Sequence, residues 1–123
     1  MEIKRKVINE NYDLVIIDDV LNVGDGVTLN YYSDETPATI IEIDPKGKWI
    51  KAQEDIAKRI DDNGMSDCQD YEYSRNTNGT IHTFYKTRRK DFTLFTDTGK
   101  GTNNHYGIYL TLKLRRAYFD YSF

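Results

Sequence analysis

The chain has one cysteine, Cys68, and two histidines, His82 and His105, from which nucleophilic catalysis could be built. A catalytic thiol needs a neighbouring base and a third group that orients that base. Both histidines lie far from Cys68 in sequence, and Cys68 sits in a polar segment with no nucleophile elbow. We therefore interpret Cys68 as non-catalytic, and we rank a hydrolase built on Cys68 or on the nearby acids last among the possible functions.

Metal and phosphate motifs are also incomplete. An EF-hand loop with Gly64 in sixth place would put Arg59 first, where an aspartate is required. A zinc site usually needs Cys and His at short spacing, which one cysteine and two scattered histidines do not provide. In "TDTGKGTNN", Gly101 follows Lys100 where a Walker loop needs Ser or Thr. The sequence therefore predicts no metal and no cofactor. The loop "TDTGKGTNN" is expected to lie on the surface, where its backbone amides could cradle an anion.

Basic and aromatic residues give the stronger functional signal. Tyrosine and arginine suit recognition surfaces, and the chain has ten tyrosines together with the basic run "YKTRRK". The alternative is that these rings pack over the ends of the fold. The predicted ligand- or partner-binding residues are Trp49, Tyr71, Tyr73, Tyr85, Arg88, Arg89, Lys90, Arg115 and Arg116.

A nucleotide is energetically feasible for such a surface. Two base stacks contribute about 2 to 6 kcal/mol. Two charge-assisted phosphate contacts add about 1.5 to 3 kcal/mol each. Micromolar binding needs about 8 kcal/mol, so the site must be preorganised. The expected partner is a small anionic nucleotide or a protein, with nucleic acid as an alternative.

Charge is distributed unevenly along the chain. Residues 1–45 hold three Lys or Arg and ten Asp or Glu, whereas residues 81–123 hold eight and three. One face of the fold could therefore be basic, or the charges could mix on folding. The net charge of −3 disfavours avid nonspecific DNA binding, which requires a strong basic field.

Short strand-like segments dominate the elements that must position these residues. "YDLVIIDD" predicts a buried strand, "DDVLNVGDGVTL" a capped helical turn, and "GVTLNYY" with "ATIIEID" a hairpin. Asn63–Gly64 and Asn78–Gly79 predict hairpin turns, the second pairing "QDYEYS" with "IHTFYK". "FTLF" and "GIYLTLKL" complete about seven strands, which argue for a barrel or sandwich. Residues 48–60 fit a strand or a helix, and their periodicity leans helical.

Length and composition predict one domain over residues 1–123 in the cytoplasm. A lone cysteine forms no intramolecular disulfide, and no secretory leader is recognisable near Met1. The longest apolar run, Leu14 to Ile17, is far shorter than the roughly 20 residues of a membrane helix. We expect no membrane association.

Three stretches, "NVGDGVTLNYYSDETPATIIEI", "DDNGMSDCQDYEY" and "YFDYSF", resemble a family of small β-rich proteins encoded by bacteriophages, over residues 20–123. "VGDGV" is also similar to the first strand of SH3-like and KOW-like barrels. The resemblance implies that residues 48–60 are strand. The expected fold is therefore mainly β, a small single-domain SH3-like or related partly open β-barrel with short helical turns.

The resemblance carries no catalytic residues. A phage origin implies a non-enzymatic accessory protein that binds and neutralises a host factor in the host cytoplasm, as an anti-defence inhibitor or a small-nucleotide sponge. An SH3/KOW-like nucleic-acid-binding module is the alternative. The aromatic tail, with Tyr118, Phe119, Tyr121 and Phe123, is expected to dock within the chain, and a homo-oligomer contact is the second choice.

Overall fold

The computed structural model describes residues 1–66, 68–100 and 107–119. Within these ranges the chain forms ten β-strands: β1 (Glu2–Ile8), β2 (Leu14–Val20), β3 (Gly26–Asn30), β4 (Glu35–Ile43), β5 (Trp49–Glu54), β6 (Ile56–Arg59), β7 (Tyr71–Ser74), β8 (Ile81–Lys86), β9 (Phe95–Thr96) and β10 (Tyr109–Leu112). None of the described segments forms a helix of the length and hydrophobicity needed to cross a bilayer.

Six strands form a closed antiparallel barrel in the order β10-β3-β4-β5-β8-β9. The ring closes because β10 pairs with β3 on one side and with β9 on the other. The mainly β barrel predicted from the strand pattern is confirmed.

The barrel core follows from alternation along its strands. Ile50 and Ala52 of β5 are fully buried, whereas Trp49 and Lys51, which alternate with them along the strand, are only partly buried. The largest buried side chains are Phe84 and Phe95, and burying one such side chain stabilises the fold by about 1.5 to 3 kcal/mol. Within residues 48–60, Trp49–Glu54 and Ile56–Arg59 are strands, as the resemblance implies. Their helical periodicity has no structural counterpart, because Ile56 and Ile60 are exposed.

Buried polar groups of β3 are paired to the strand beside it. Thr28 donates its hydroxyl to the carbonyl of Leu114 at 2.6 Å. The Asn30 amide donates to the Tyr109 carbonyl at 3.2 Å and to the Thr111 hydroxyl at 2.9 Å. These bonds offset desolvation of the polar groups and tie β3 to the chain at β10.

Two hairpins stand outside the barrel, and the first differs from its prediction. β1 pairs with β2, and β6 pairs with β7, each as a two-stranded sheet. The prediction of a strand at "YDLVIIDD" is confirmed, but the prediction that it is buried is wrong. Leu14, Ile16, Ile17 and Val20 are all exposed, because the β1–β2 hairpin is a separate sheet outside the barrel and these side chains do not pack into the barrel core.

The predicted pairing of "QDYEYS" with "IHTFYK" is also wrong. β7 pairs with β6, and β8 pairs with β5. Residues 49–59 and 71–86 are the two sides of one long hairpin, whose end contains Asn63–Gly64. The turn at Asn76–Gly79 lies in a loop between β7 and β8, on one side of this hairpin. In that turn the Gly79 N–H donates to the Asn76 carbonyl. Glycine suits position 79 because a Cβ there would collide with the Glu54 carbonyl.

The capped helical turn predicted in "DDVLNVGDGVTL" is wrong too. Asp18 to Val20 belong to β2, and Asn22 to Asp25 form a tight turn. The Asp25 N–H donates to the Asn22 carbonyl at 3.1 Å, and the Asn22 N–H donates to the Asp25 carboxylate at 2.8 Å. Asp25 therefore closes a tight turn that leads into β3, and no helix follows it.

The tail docks within the chain as far as it is described. Tyr118 exchanges two backbone hydrogen bonds with Glu35, at 3.0 and 2.9 Å. The Phe119 N–H donates to the Gln69 side-chain carbonyl at 3.0 Å. The tail backbone is thus held within the chain at Tyr118 and Phe119, but the Phe119 ring stays 51% exposed, and Tyr121 and Phe123 lie outside the described residues.

Candidate functional site

A cavity of about 790 Å³ lies between β1, the β3–β4 turn, the β8–β9 connection and β10. This volume is in the range of small-molecule sites. Its described lining includes one carboxylate, Asp97, together with these cationic and aromatic side chains: Arg5, Lys6, Tyr31, Tyr32, Arg89, Phe92, Lys100 and Tyr109.

Backbone hydrogen bonds between distant segments assemble this lining. The Lys4 N–H donates to the Thr93 hydroxyl at 2.9 Å, and the Thr93 N–H donates to the Lys4 carbonyl at 2.8 Å. The two residues are separated by 89 positions in sequence. The β8–β9 connection is thereby fixed against β1, and its basic residues come next to the basic residues of the N-terminal strand.

Two cations reach the ring of Phe92. The Lys6 Nζ lies 4.3 Å from the ring centroid, and the Arg89 Cζ lies 4.0 Å from it. Both distances are within the range of cation–π attraction. The ring therefore anchors one lysine and one arginine at the cavity, where each cation can attract an anionic ligand.

The cations of the lining differ in how far they are neutralised. Arg5 Nε lies 2.7 Å from the Asp19 carboxylate, and Arg89 Nε lies 2.7 Å from the Asp91 carboxylate. Lys6 and Lys100 have no ion pair within 4.0 Å in the part of the chain that the structure describes. These two lysines are the groups whose charge is available to a ligand.

Hydrogen bonding at the two paired carboxylates keeps them ionised. The Val20 N–H and the Arg5 guanidinium hold the pKa of Asp19 below its usual value. The Arg89 guanidinium does the same to the pKa of Asp91. Both arginines are therefore positioned by charged partners at neutral pH.

Tyrosine rings form the apolar walls of the cavity. Tyr32 is 82% exposed, and Tyr31 and Tyr109 are partly open to solvent. Burial, together with the nearby Glu54 carboxylate, raises the pKa of Tyr31, so its phenol stays protonated and can donate a hydrogen bond. Flat rings of this kind stack with bases.

Of the residues predicted from the sequence, Arg89 lines this cavity. Arg88 and Lys90 are exposed beside it but do not line it. Trp49 and Tyr85 are direct cross-strand neighbours on the barrel wall, where the Lys51 Nζ lies 5.7 Å from the Trp49 ring.

The remaining predicted residues lie elsewhere. Tyr71 and Tyr73 are on the β6–β7 hairpin, where the Tyr71 hydroxyl donates to Gln69 and the Tyr73 hydroxyl accepts from the Ala117 N–H. Arg115 pairs with the buried Asp55 at 2.9 Å, and Arg116 lies 3.4 Å from Glu35. The structure therefore does not bring the nine predicted residues together in one hollow.

Sequence reasoning missed most of the lining, including Lys6 and Phe92, although Lys100 belongs to the loop that was considered for anion binding. One signal was present: "KRK" at residues 4–6 contains all three Lys and Arg residues of the first 45. An isolated basic run in an acidic segment could have been matched with the basic segment near residue 90.

The residues considered for catalysis and for metal binding are separate from this cavity. Cys68 is exposed, and His82 Nε2 lies 2.8 Å from the Glu54 carboxylate. His105 falls outside the described residues. Within residues 1–66, 68–100 and 107–119, no three His, Cys, Asp or Glu side chains gather as a metal site would require.

Comparisons with models of protein families, with curated proteins and with solved structures find no significant match.

Proposed function

We propose that this protein binds a small anionic nucleotide in the cavity and leaves it chemically unchanged. The observation that carries the proposal is the convergence of Lys6 and Arg89 on the Phe92 ring at a tyrosine-lined hollow. Cations suit the phosphate, and rings suit the base.

The contacts available match the affinity that such a ligand needs. Lys6 and Lys100 carry uncompensated charge toward the cavity. Each charge-assisted hydrogen bond to a phosphate contributes about 1.5 to 3 kcal/mol, and a base stacked on a ring adds about 1 to 3 kcal/mol. Arg5 and Arg89 are already held by Asp19 and Asp91, which lowers the entropic cost of ordering them around a ligand.

A short ligand fits the charge distribution better than a long polymer. Four Lys or Arg residues and one carboxylate line the described part of the cavity, whereas the whole chain carries a net charge of −3. A long single strand would extend past the cavity into this acidic field, whereas a mononucleotide would not. A nucleic-acid-binding module using Arg88, Arg89 and Lys90 therefore remains the second proposal.

The resemblance to bacteriophage proteins supports a biological context for nucleotide capture. We propose that the protein acts as a phage accessory protein that lowers the free concentration of a host nucleotide in the host cytoplasm. Such a sponge needs affinity and abundance but no catalytic group.

Isothermal titration calorimetry with AMP, adenosine and inorganic phosphate tests the proposal. AMP should bind more tightly than adenosine or phosphate alone, because it uses both the rings and the cations. Chromatography of the ligand after incubation should return AMP unchanged. Conversion of AMP to another compound would overturn the non-enzymatic part of the proposal.

The variant Lys6→Gln/Arg89→Gln should lose most of the AMP affinity, whereas the control Lys90→Gln should retain it. Lack of binding at millimolar AMP and ATP, or equal binding by both variants, would refute the proposal. Tighter binding of a thymidine oligonucleotide that depends on Arg88 and Arg89 would instead support the nucleic-acid-binding module.

A further inference from the structure

The outer edge of β2 has the features of a docking site for another strand. Leu14 is 62% exposed, Ile16 is 44% exposed, and both project from a strand that pairs with β1 alone in the described chain. A long, apolar, uncovered edge strand is uncommon in native proteins, because it templates pairing with another chain.

The hydrogen-bond register shows which groups face that edge. Met1 and Leu21 exchange backbone hydrogen bonds at 2.9 and 2.8 Å, and the register of the hairpin continues without a shift to Ile8↔Leu14. In an antiparallel pair, hydrogen-bonded and non-hydrogen-bonded positions alternate. The odd-numbered residues of β2 therefore bond to β1, and the even-numbered residues direct their N–H and C=O groups outward.

Contacts at the ends of the hairpin agree with this parity. On β1, the even-numbered Lys4 directs its backbone groups outward to Thr93. On β2, the Val20 C=O accepts from the Lys113 Nζ at 3.0 Å, and the Val20 N–H donates to the Asp19 carboxylate at 2.8 Å.

The outward backbone groups of Leu14, Ile16 and Asp18 have no hydrogen-bond partner in residues 1–66, 68–100 and 107–119. An extended chain laid antiparallel along β2 would exchange both bonds with each of these residues. The edge therefore offers a complete backbone ladder over five positions.

Charge indicates what kind of chain fits. Residues 9–20 contain Glu10, Asp13, Asp18 and Asp19 and no Lys or Arg. Asp19 is neutralised by Arg5, but the exposed Asp18 has no ion pair within 4.0 Å among the described residues. Lys4 lies directly across from Asp18 on β1 but forms no ion pair with it within 4.0 Å, so a cationic side chain on the outer side of Asp18 would add a charged partner there.

A second copy of this chain fits the edge poorly. The antiparallel register that pairs Leu14, Ile16 and Asp18 with the same residues of a copy places Asp13 opposite Asp19, and Leu14 opposite Asp18. In this register the apolar Leu14 faces the charged Asp18 twice, and Asp13 adds a second carboxylate beside Asp19, which Arg5 already pairs.

We infer that the outer edge of β2 docks an extended peptide strand of a protein partner. The strand carries apolar residues opposite Leu14 and Ile16 and a lysine or arginine opposite Asp18. This surface is distinct from the nucleotide cavity, so the inference does not depend on the proposed function.

A synthetic peptide of sequence Thr-Lys-Thr-Val-Thr-Val-Thr, blocked at both ends, tests the inference by NMR titration of the whole protein. Its lysine falls opposite Asp18, and its valines fall opposite Ile16 and Leu14. Binding should shift and protect the amides of Leu14, Ile16 and Asp18. The same peptide with Glu in place of Lys should bind about tenfold more weakly, because it sets like charges opposite each other.

Two protein variants separate strand pairing from nonspecific adhesion. Ile16→Pro removes an outward N–H while leaving the β1–β2 ladder intact, as proline is tolerated at an edge, and should abolish binding. Asp18→Lys should reverse the preference between the two peptides, whereas Asp62→Lys, an equal change in charge away from β2, should not. A peptide N-methylated at the valine opposite Ile16 should also fail to bind the unaltered protein.

Several results would overturn the inference. They are lack of binding by the lysine peptide at millimolar concentration, binding that Ile16→Pro leaves unchanged, and equal affinity for the two peptides. Dimerisation of the protein that Ile16→Pro abolishes would assign the edge to a second copy instead.

Discussion

The guanidinium group of Arg115 lies 2.9 Å from the carboxylate of Asp55, whose side chain is 1% exposed. Arg75 lies 3.6 Å from the same carboxylate, and the Thr39 hydroxyl donates to it at 2.7 Å. Arg115 also donates to Thr39 at 3.0 Å. A residue near the C-terminus thus compensates a charge buried where β5 passes into β6.

Arg115→Ala should lower the free energy of unfolding by about 1.5 to 3 kcal/mol, because it removes a charge-assisted hydrogen bond from a buried carboxylate that keeps only Arg75 and Thr39 as partners. Arg116→Ala is the matched control. Its side chain is 60% exposed and lies 3.4 Å from Glu35, so its loss should cost less than about 1 kcal/mol. Urea denaturation measures both values, and equal costs would contradict the structural role of Arg115.

Phe92→Leu should weaken nucleotide binding about fivefold, the equivalent of about 1 kcal/mol of cation–π attraction. Leucine retains apolar bulk but cannot hold Lys6 and Arg89 by its ring face. Phe119→Leu makes the same change at an exposed ring that does not line the cavity. Calorimetry with AMP should show no effect of the control, and an unchanged Phe92→Leu affinity would exclude the ring from the site.

Nucleotide affinity should fall as ionic strength rises from about 0.05 to about 0.5 M, because salt screens partly exposed charges. Lys100→Gln should weaken binding and reduce this salt dependence, since Lys100 lines the cavity. Lys90→Gln should leave both unchanged. If the two substitutions have the same effect, general charge rather than the cavity attracts the nucleotide.

Acid should weaken the end of the β6–β7 hairpin through Asp61. The Arg59 side chain, then the Asp70 and Asn63 amides, donate hydrogen bonds to Asp61 and hold its pKa far below its usual value. Because the folded pKa is lower than the unfolded value of about 3.9, the stabilisation is fully present above that value. It is lost as pH falls toward the folded pKa.

Hydrogen exchange at the Asp70 amide measures this effect when it is expressed as a protection factor, the exchange rate of the unstructured amide at the same pH divided by the observed rate. The protection factor should fall as pH drops below the usual pKa of an aspartate. Asp61→Asn should lower the protection factor at neutral pH and flatten its pH dependence, and Asp62→Asn should do neither. An equal loss of protection with acid in Asp61→Asn would show that another group is responsible.

Much of the barrel could be predicted from local patterns. Alternation in "GVTLNYY" and "GIYLTLKL" identified β3 and β10, and the Asn63–Gly64 turn sits at the end of a long hairpin. The exposure of β2 could not be predicted this way, because an apolar strand has the same sequence pattern whether or not a second layer of the fold covers it. The pairing of β8 with β5 was missed because Asn78–Gly79 has the sequence of a hairpin turn but occupies a loop inside a longer hairpin.

The sequence by itself determined that this is a β-rich chain with basic residues separated into distant segments, because side-chain alternation and charge are local properties. Tertiary structure alone decided which of those residues meet. Lys6 and Arg89 reach one ring because Thr93 bonds to Lys4 across 89 positions, whereas Arg115 turns inward to Asp55. Such long-range pairings depend on how the barrel closes, which no local pattern specifies.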